Sequence, residues 1–177
     1  YGKSGHAARN EGENAIYKAI KIIENFQNFQ FPKVSEQLGA VKLSVTQVQA
    51  GTQHNVIPDR CDFVVDVRTN ELYKNEEAFS ILQKNINCEM KARSFRLNSS
   101  KIEPDHPIII RAKMLGLQPF GSPTLSDQAL MPFTSVKIGP GDSARSHTAN
   151  EFILKSEIRE AIDLYIKLLD RLSLEPA

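Results

Sequence analysis

The sequence predicts an α+β unit of the split ferredoxin-like kind over residues 1–100, followed by a piece of an α/β domain over residues 101–177. Three observations predict this. Over the first hundred residues the hydrophobic period switches in the order helix, strand, strand, helix, strand. A ferredoxin-like unit is strand, helix, strand, strand, helix, strand, so a four-stranded antiparallel sheet with two helices is expected. Its first strand would be truncated at or just before Tyr1. After residue 100 the pattern becomes helix, loop, short strand, Gly-Pro-Gly and helix, which suits an α/β sheet. One strand and two helices cannot bury a sheet of their own, so this part is expected to complete a larger domain.

Residues 14–26 read as a helix because Ile16, Ala19, Ile20, Ile23 and Phe26 recur at spacings of three and four. Residues 41–49 alternate, with Val41, Leu43 and Val45 on one face and Lys42, Ser44 and Thr46 on the other. Ala50-Gly51 breaks that strand. In Cys61–Arg68, Phe63, Val65 and Val67 share one face and Val64, Asp66 and Arg68 the other. Asn75 with Glu76 and Glu77 marks a helix start, with Asn75 as the cap; the helix is expected to reach Ile86. Residues 89–98 are expected to form a third strand. In the second part Asp105 is expected to cap a helix over 107–115 that Gly116 ends. Residues 121–131 read as a loop and residues 135–138 as a short strand. Ser156 is expected to cap a last helix whose apolar stripe is Ile158, Ile162, Tyr165, Leu169 and Leu172.

The composition narrows the function classes. Hydrophobic residues make up 41% and charged residues 24%, with a formal charge of +1. Mixed charge argues against a nucleic-acid surface, and no apolar run approaches the roughly 18 residues of a membrane span. Cys61 and Cys88 form no C-x-x-C pair. They predict neither a disulfide framework nor a thiolate zinc knuckle, and fit a reduced cytoplasmic setting.

Several residues could carry chemistry. His147 lies in a loop between a predicted strand and helix, where α/β enzymes place functional groups. It reads either as a metal ligand or as a loop histidine bonded locally. His6 follows Gly5 and precedes small residues, and reads as a functional imidazole or a turn residue. Asn55, in His54-Asn55-Val56-Ile57-Pro58, is a turn residue or an amide donor to substrate. Arg68 is a guanidinium fork for a carboxylate or the partner of Asp66. Ser126-Asp127 reads as a helix cap, and no G-x-S-x-G elbow supports a serine hydrolase. Because zinc usually takes three or four protein ligands, any co-ligands of His147 are expected from outside this chain.

These segments together resemble a metal-dependent amidohydrolase and peptidase family. It includes acetylornithine deacetylase, succinyl-diaminopimelate desuccinylase, aminoacylase and the glutamate carboxypeptidases. The pieces are Gly2-Lys3-Ser4-Gly5-His6-Ala7-Ala8 with Gly12 and Asn14-Ala15-Ile16, then Gly51 through Asn55-Val56-Ile57-Pro58 and Asp66-Val67-Arg68. Thr124-Leu125-Ser126-Asp127 follows, then Gly139-Pro140 through His147 to Glu151. They stand in family order, and segments 2–8 and 126–131 look nearest to the acetylornithine deacetylase branch.

The resemblance implies that residues 1–100 are a lid that pairs in a homodimer. It implies that residues 101–177 are the C-terminal part of a zinc-exopeptidase-like α/β catalytic domain. The activity implied is zinc-dependent hydrolysis of the amide of a small-molecule N-acyl amino acid, as in arginine biosynthesis. This chain would be the C-terminal half and inactive alone. Two zinc ions are implied in the complete enzyme, with cobalt among the metals that could replace them. His147 matches a zinc ligand, and His6 an oxyanion donor that reaches the partner's site. Asn55, Arg68, Ser126 and Gly139 match substrate-binding positions. Neither nucleic acid nor membrane is implied as a partner. Two other readings stay open: a non-catalytic ferredoxin-like dimerisation or regulatory module, and a di- or tripeptidase of the same family.

Overall fold

The structure is a computed structural model and describes residues 1–9, 11–122, 124 and 126–173. It divides into two compact units, one of Tyr1–Ser99 with Ser122–Leu125, the other of Ser100–Gly121 with Ser126–Ala177.

The first unit has the ferredoxin-like α+β fold of a helix-backed antiparallel sheet, built from β1 (Gly5–His6), α1 (Ala15–Asn28), β2 (Lys42–Ala50), β3 (Val56–Ile57), β4 (Cys61–Arg68) and α2 (Asn75–Asn85). Asn14 caps α1, its Oδ1 accepting the N–H of Ile16 at 2.8 Å; such a bond satisfies a donor the first helical turn leaves free. The apolar stripe of α1 packs on β2 and β4. β2 and β4 pair antiparallel from Lys42↔Arg68 to Ala50↔Cys61, with an irregularity between Val45 and Gln47. The core lies between helices and sheet: Phe26, Phe31, Tyr73, Ala78, Leu82 and Ile86 are buried, with Leu43, Val45, Phe63, Val65 and Val67 half-buried against them. Its aromatic rings meet edge-on, Phe26 with Phe63 at 5.9 Å and Phe31 with Tyr73 at 5.2 Å; such pairs stabilise beyond their buried area.

Two expectations for this unit need correction. The strands form two two-stranded sheets, β1 with β3 and β2 with β4, rather than one four-stranded sheet. Residues 89–98 form no strand. A ladder needs a neighbour for its N–H and C=O groups, and no described strand pairs with this segment. It is tied to α2 instead. Phe95 stacks edge-on against Phe79 at 5.5 Å, and the Asn75 amide donates to the Leu97 carbonyl at 2.8 Å. Asn75 is accordingly the first helical residue and not the cap, which is Lys74; its side chain serves the 95–98 segment.

The second unit holds α3 (Pro107–Met114) and α4 (Lys155–Leu169), which pack together. Pro107 occupies the first helical position, where its missing N–H costs nothing, so the cap falls on His106 and not Asp105: His106 Nδ1 accepts the N–H of Ile108 at 3.3 Å. Gly116, at φ 83°, takes the left-handed turn that ends α3. Arg111 of α3 donates to the carbonyls of Lys167 and Asp170 at 3.2 and 3.1 Å, satisfying free carbonyls at the end of α4.

The cap of α4 is Leu154, one of whose orphan donors finds Glu157: the Leu154 N–H reaches its Oε2 at 2.8 Å. Ser156 is therefore inside the helix. Residues 135–138 form no strand, having no described strand beside them; the Ser135 carbonyl accepts from the Gln128 amide at 2.7 Å. The buried line of α4 is Ala161 and Leu168, whereas Ile158, Ile162 and Leu169 of the expected stripe are exposed, Ile162 by 54%.

Candidate functional site

A clasp of close backbone approaches presents His6. The N–H of Gly2 donates to the Asp59 carbonyl at 2.7 Å, and Lys3 and Glu13 exchange backbone bonds at 2.9 and 2.8 Å. A Cβ on Gly2 would lie 2.1 Å from the Glu13 carbonyl oxygen, and Gly12 combines a φ of 85° with a 2.6 Å approach to the Lys3 carbonyl. Only glycine fits such positions. The clasp delivers Gly5 and His6 to β3, with His6 opposite Val56. One residue on, the N–H of Ala7 donates to the Asn55 carbonyl at 3.0 Å. The fold thus brings the segments that carry His6 and Asn55, far apart in sequence, side by side at one short ladder, with His6 facing Val56 and Ala7 bonded to Asn55.

The imidazole of His6 is exposed, and its Nδ1 accepts the N–H of Ala8 at 3.1 Å. A nitrogen that accepts carries no proton, so in the neutral ring the proton sits on Nε2. The exposed edge of His6 is a hydrogen-bond donor.

Arg68 is not joined to this pair. It closes β4 at the end remote from the 51–60 connection, and eight residues of strand span roughly 25 Å. Its Nε donates to Asp66 Oδ2 at 2.7 Å. The local ion-pair reading of Arg68 is therefore realised here, on a half-exposed pair.

Ser126, Gly139 and His147 belong to the other unit. Ser126 precedes a 3-10 turn, Asp127–Leu130, without a side-chain capping bond; Pro123 and Leu125 of its motif lie outside the described residues. A Cβ on Gly139 would meet nothing within 4 Å, so the backbone there does not demand glycine. Gly141, at φ 85°, does take a left-handed conformation.

The His147 loop is held by carboxylates. Asp142 Oδ1 accepts the N–H of Ala144 at 2.8 Å. Arg145 forms a two-pronged ion pair with Glu157, of which the Nη1–Oε2 arm is 3.1 Å, and its guanidinium lies over the Phe152 ring at 4.9 Å. The Arg145 hydrogen bond holds the Glu157 carboxyl below the usual carboxylate range, with the Leu154 N–H as the next cause. His147 itself has φ 61°, which costs a side-chain-bearing residue energy. Its N–H donates to Glu151 Oε2 at 2.9 Å. Sequence reasoning missed this role of Glu151 and the Arg145–Glu157 anchor. The one available signal was a carboxylate four residues beyond a loop histidine.

Among the described residues no three or more His, Cys, Asp or Glu side chains gather closely enough to hold a metal ion. The exposed imidazole of His147 suits the part of a single ligand, and the described residues do not complete a zinc site around it.

The fold of the first unit is that of an M20 dimerisation domain. Residues 1–93 match the family model described as the peptidase dimerisation domain, M20_dimer, and the chain belongs to this family of metal-dependent peptidases and deacylases. Among its relatives, the N-acetylcysteine deacetylase of Bacillus subtilis (strain 168) is 42% identical over 69 residues, which is 38% of this chain and 18% of that protein. Among solved structures, the aminopeptidase PepT of Bacillus cereus ATCC 10987 matches with a TM-score of 0.66 at 19% identity, over 95% of this chain and 48% of that one. That likeness concerns the fold. The chain spans about half the length of that structure and less than a fifth of the curated relative. No helix among the described residues is long and apolar enough to cross a membrane.

Proposed function

We propose that this chain supplies the lid (residues 1–100) and the His147-bearing C-terminal part (residues 101–177) of a cytoplasmic, homodimeric, zinc-dependent hydrolase that removes the acyl group from an N-acyl amino acid. The observation that carries this is the His6–Asn55 arrangement. An imidazole whose Nδ1 is occupied by the Ala8 N–H offers an Nε2–H donor, and Asn55 lies on the neighbouring segment, one residue from Val56, which faces His6, with its carbonyl bonded to the Ala7 N–H. A donor of this kind suits the oxyanion that develops when an amide carbonyl is attacked.

The roles of the remaining residues follow from their chemistry. His147 would contribute one nitrogen to the metal, with the other ligands coming from outside this chain. Bound zinc would supply a hydroxide near neutral pH and polarise the amide carbonyl. Arg68 suits the substrate α-carboxylate once it exchanges Asp66 for that group. Ser126 and Gly139 would border the substrate. His6 would act in the partner's site, since lids of this family pair. The family match to a deacetylase at 42% identity favours an N-acyl substrate over a peptide. N-acetylornithine, on the resemblance of segments 2–8 and 126–131, and N-acetylcysteine, on the relative's name, head the list of substrates.

The test uses the whole hydrolase. N-acetylornithine, N-acetylcysteine, N-succinyl amino acids and dipeptides are assayed with and without chelator. Chelator-sensitive deacylation that His147→Ala removes together with one metal ion is expected; full metal content and turnover in His147→Ala would sink the ligand assignment. Mixing inactive His6→Ala with inactive His147→Ala subunits should restore one working site per mixed dimer. If mass spectrometry shows exchange and no activity returns, His6 does not act in trans.

A further inference from the structure

We propose that Glu151 is the positioning residue of His147: by accepting the His147 backbone N–H, its carboxylate holds residue 147 in the left-handed conformation that presents the imidazole. The bond is 2.9 Å, Oε2 to N, and φ at residue 147 is 61°. For a residue with a Cβ that conformation is unfavourable and persists only where the surroundings over-determine it.

The surroundings here divide the task. Arg145, just before the histidine, is anchored on α4 through Glu157, and the Leu154 N–H, just after the loop, is anchored on the same carboxylate. Thr148 Oγ donates to the Arg145 carbonyl at 2.8 Å, closing the turn between them. These contacts fix the ends of the 145–154 segment, and the bond from Glu151 acts at residue 147 itself. The His147 N–H is exposed and could be satisfied by water, so a dedicated carboxylate is not needed to avoid an unpaired donor. What a carboxylate adds over water is direction, because a charge-assisted bond from a tethered side chain is stronger and fixed in space. The functional weight of this assignment rests on the reading of His147 as a ligand, since a ligand's orientation governs its affinity.

The test compares the 177-residue chain with its Glu151→Gln, Glu151→Asp and Glu151→Ala variants. The amide oxygen of Gln can still accept, Asp is one methylene too short, and Ala has no acceptor. The three-bond amide-to-Hα coupling and the 13Cα shift of residue 147, which report the sign of φ, should be wild-type in Glu151→Gln. In the other two they should move to averaged values, with the resonances of α3 and α4 unchanged. A wild-type signature in Glu151→Ala overturns the proposal; so does loss of the α4 resonances in that variant, which would make Glu151 a structural residue. Titration of the metal-free whole hydrolase with Co²⁺, followed by line broadening at the residue-147 imidazole, should show affinity weakened roughly tenfold or more in Glu151→Ala and rescued in Glu151→Gln. If Co²⁺ leaves the residue-147 imidazole of the whole wild-type hydrolase untouched, the ligand reading fails, while the coupling data on the 177-residue chain still decide whether Glu151 sets the backbone.

Discussion

Arg68 and Asp66 stand on the same face of β4, with Nε and Oδ2 2.7 Å apart and both side chains 44% exposed. The guanidinium proposed to clamp a substrate carboxylate is thus held, without substrate, by a carboxylate of its own strand. An exposed pair of this kind contributes about 0–1 kcal/mol. Asp66→Asn and Arg68→Ala should each shift stability by no more than that in urea titrations. In the whole hydrolase Arg68→Ala should weaken substrate binding by on the order of 2–5 kcal/mol if the contact is desolvated, seen as a raised KM. An unchanged KM with a large fall in Tm would reduce Arg68 to a strand-stabilising residue.

The torsion at residue 147 makes a second expectation. Glycine carries no Cβ penalty at positive φ but loses more entropy on folding. The balance should leave His147→Gly about 0.5–1 kcal/mol more stable than His147→Ala, measured by chemical denaturation of the two variants in parallel. Equal stability, or an advantage for alanine, would mean that residue 147 does not hold a left-handed conformation in solution.

The Arg145–Glu157 pair predicts acid sensitivity. Arg145 holds the Glu157 carboxyl below its ordinary value, so the folded pKa lies below the unfolded one. The stabilisation is then complete above the unfolded carboxylate value of about 4.3 and is lost as pH falls through the folded value. Glu157→Gln should be less stable than the wild type at pH 6, and the gap should close at pH values below about 4. Parallel stability curves across that range would show that the pair does not form.

In the core of the first unit, the Lys33 N–H donates to the buried Tyr73 hydroxyl at 2.7 Å. Tyr73→Phe keeps the ring against Phe31 and removes only that acceptor, which should cost about 1–3 kcal/mol. Phe31→Ala should cost more, about 3–5 kcal/mol, because it leaves a cavity. Urea unfolding of both variants checks the order; a larger loss for Tyr73→Phe would mean that the hydroxyl, and not the ring, anchors the 29–33 turn.

The amino-acid sequence alone determined the elements whose partners lie close by. The Ile16–Phe26 stripe marks α1, whose cap at Asn14 the structure adds, and the alternation in Cys61–Arg68 defines β4 at its observed bounds. The glycine spacing in 2–12 marked the clasp because backbone segments that touch leave no room for a Cβ. Tertiary structure alone decided the rest. Residues 89–98 and 135–138 have strand-like sequences but no described strand to pair with, and a strand has no hydrogen-bonded identity without a neighbour. Asn75 reads as a cap until the 95–98 segment claims its amide, and α4 buries Ala161 and Leu168 while packing on α3. The pairing of the His6 and Asn55 segments, the pairing of Arg68 with Asp66 and the hold of Glu151 on His147 each depend on where side chains and backbone end up in space. Periodicity and spacing along the chain do not encode those distances, which are set when the clasp, the ladder and the loop close.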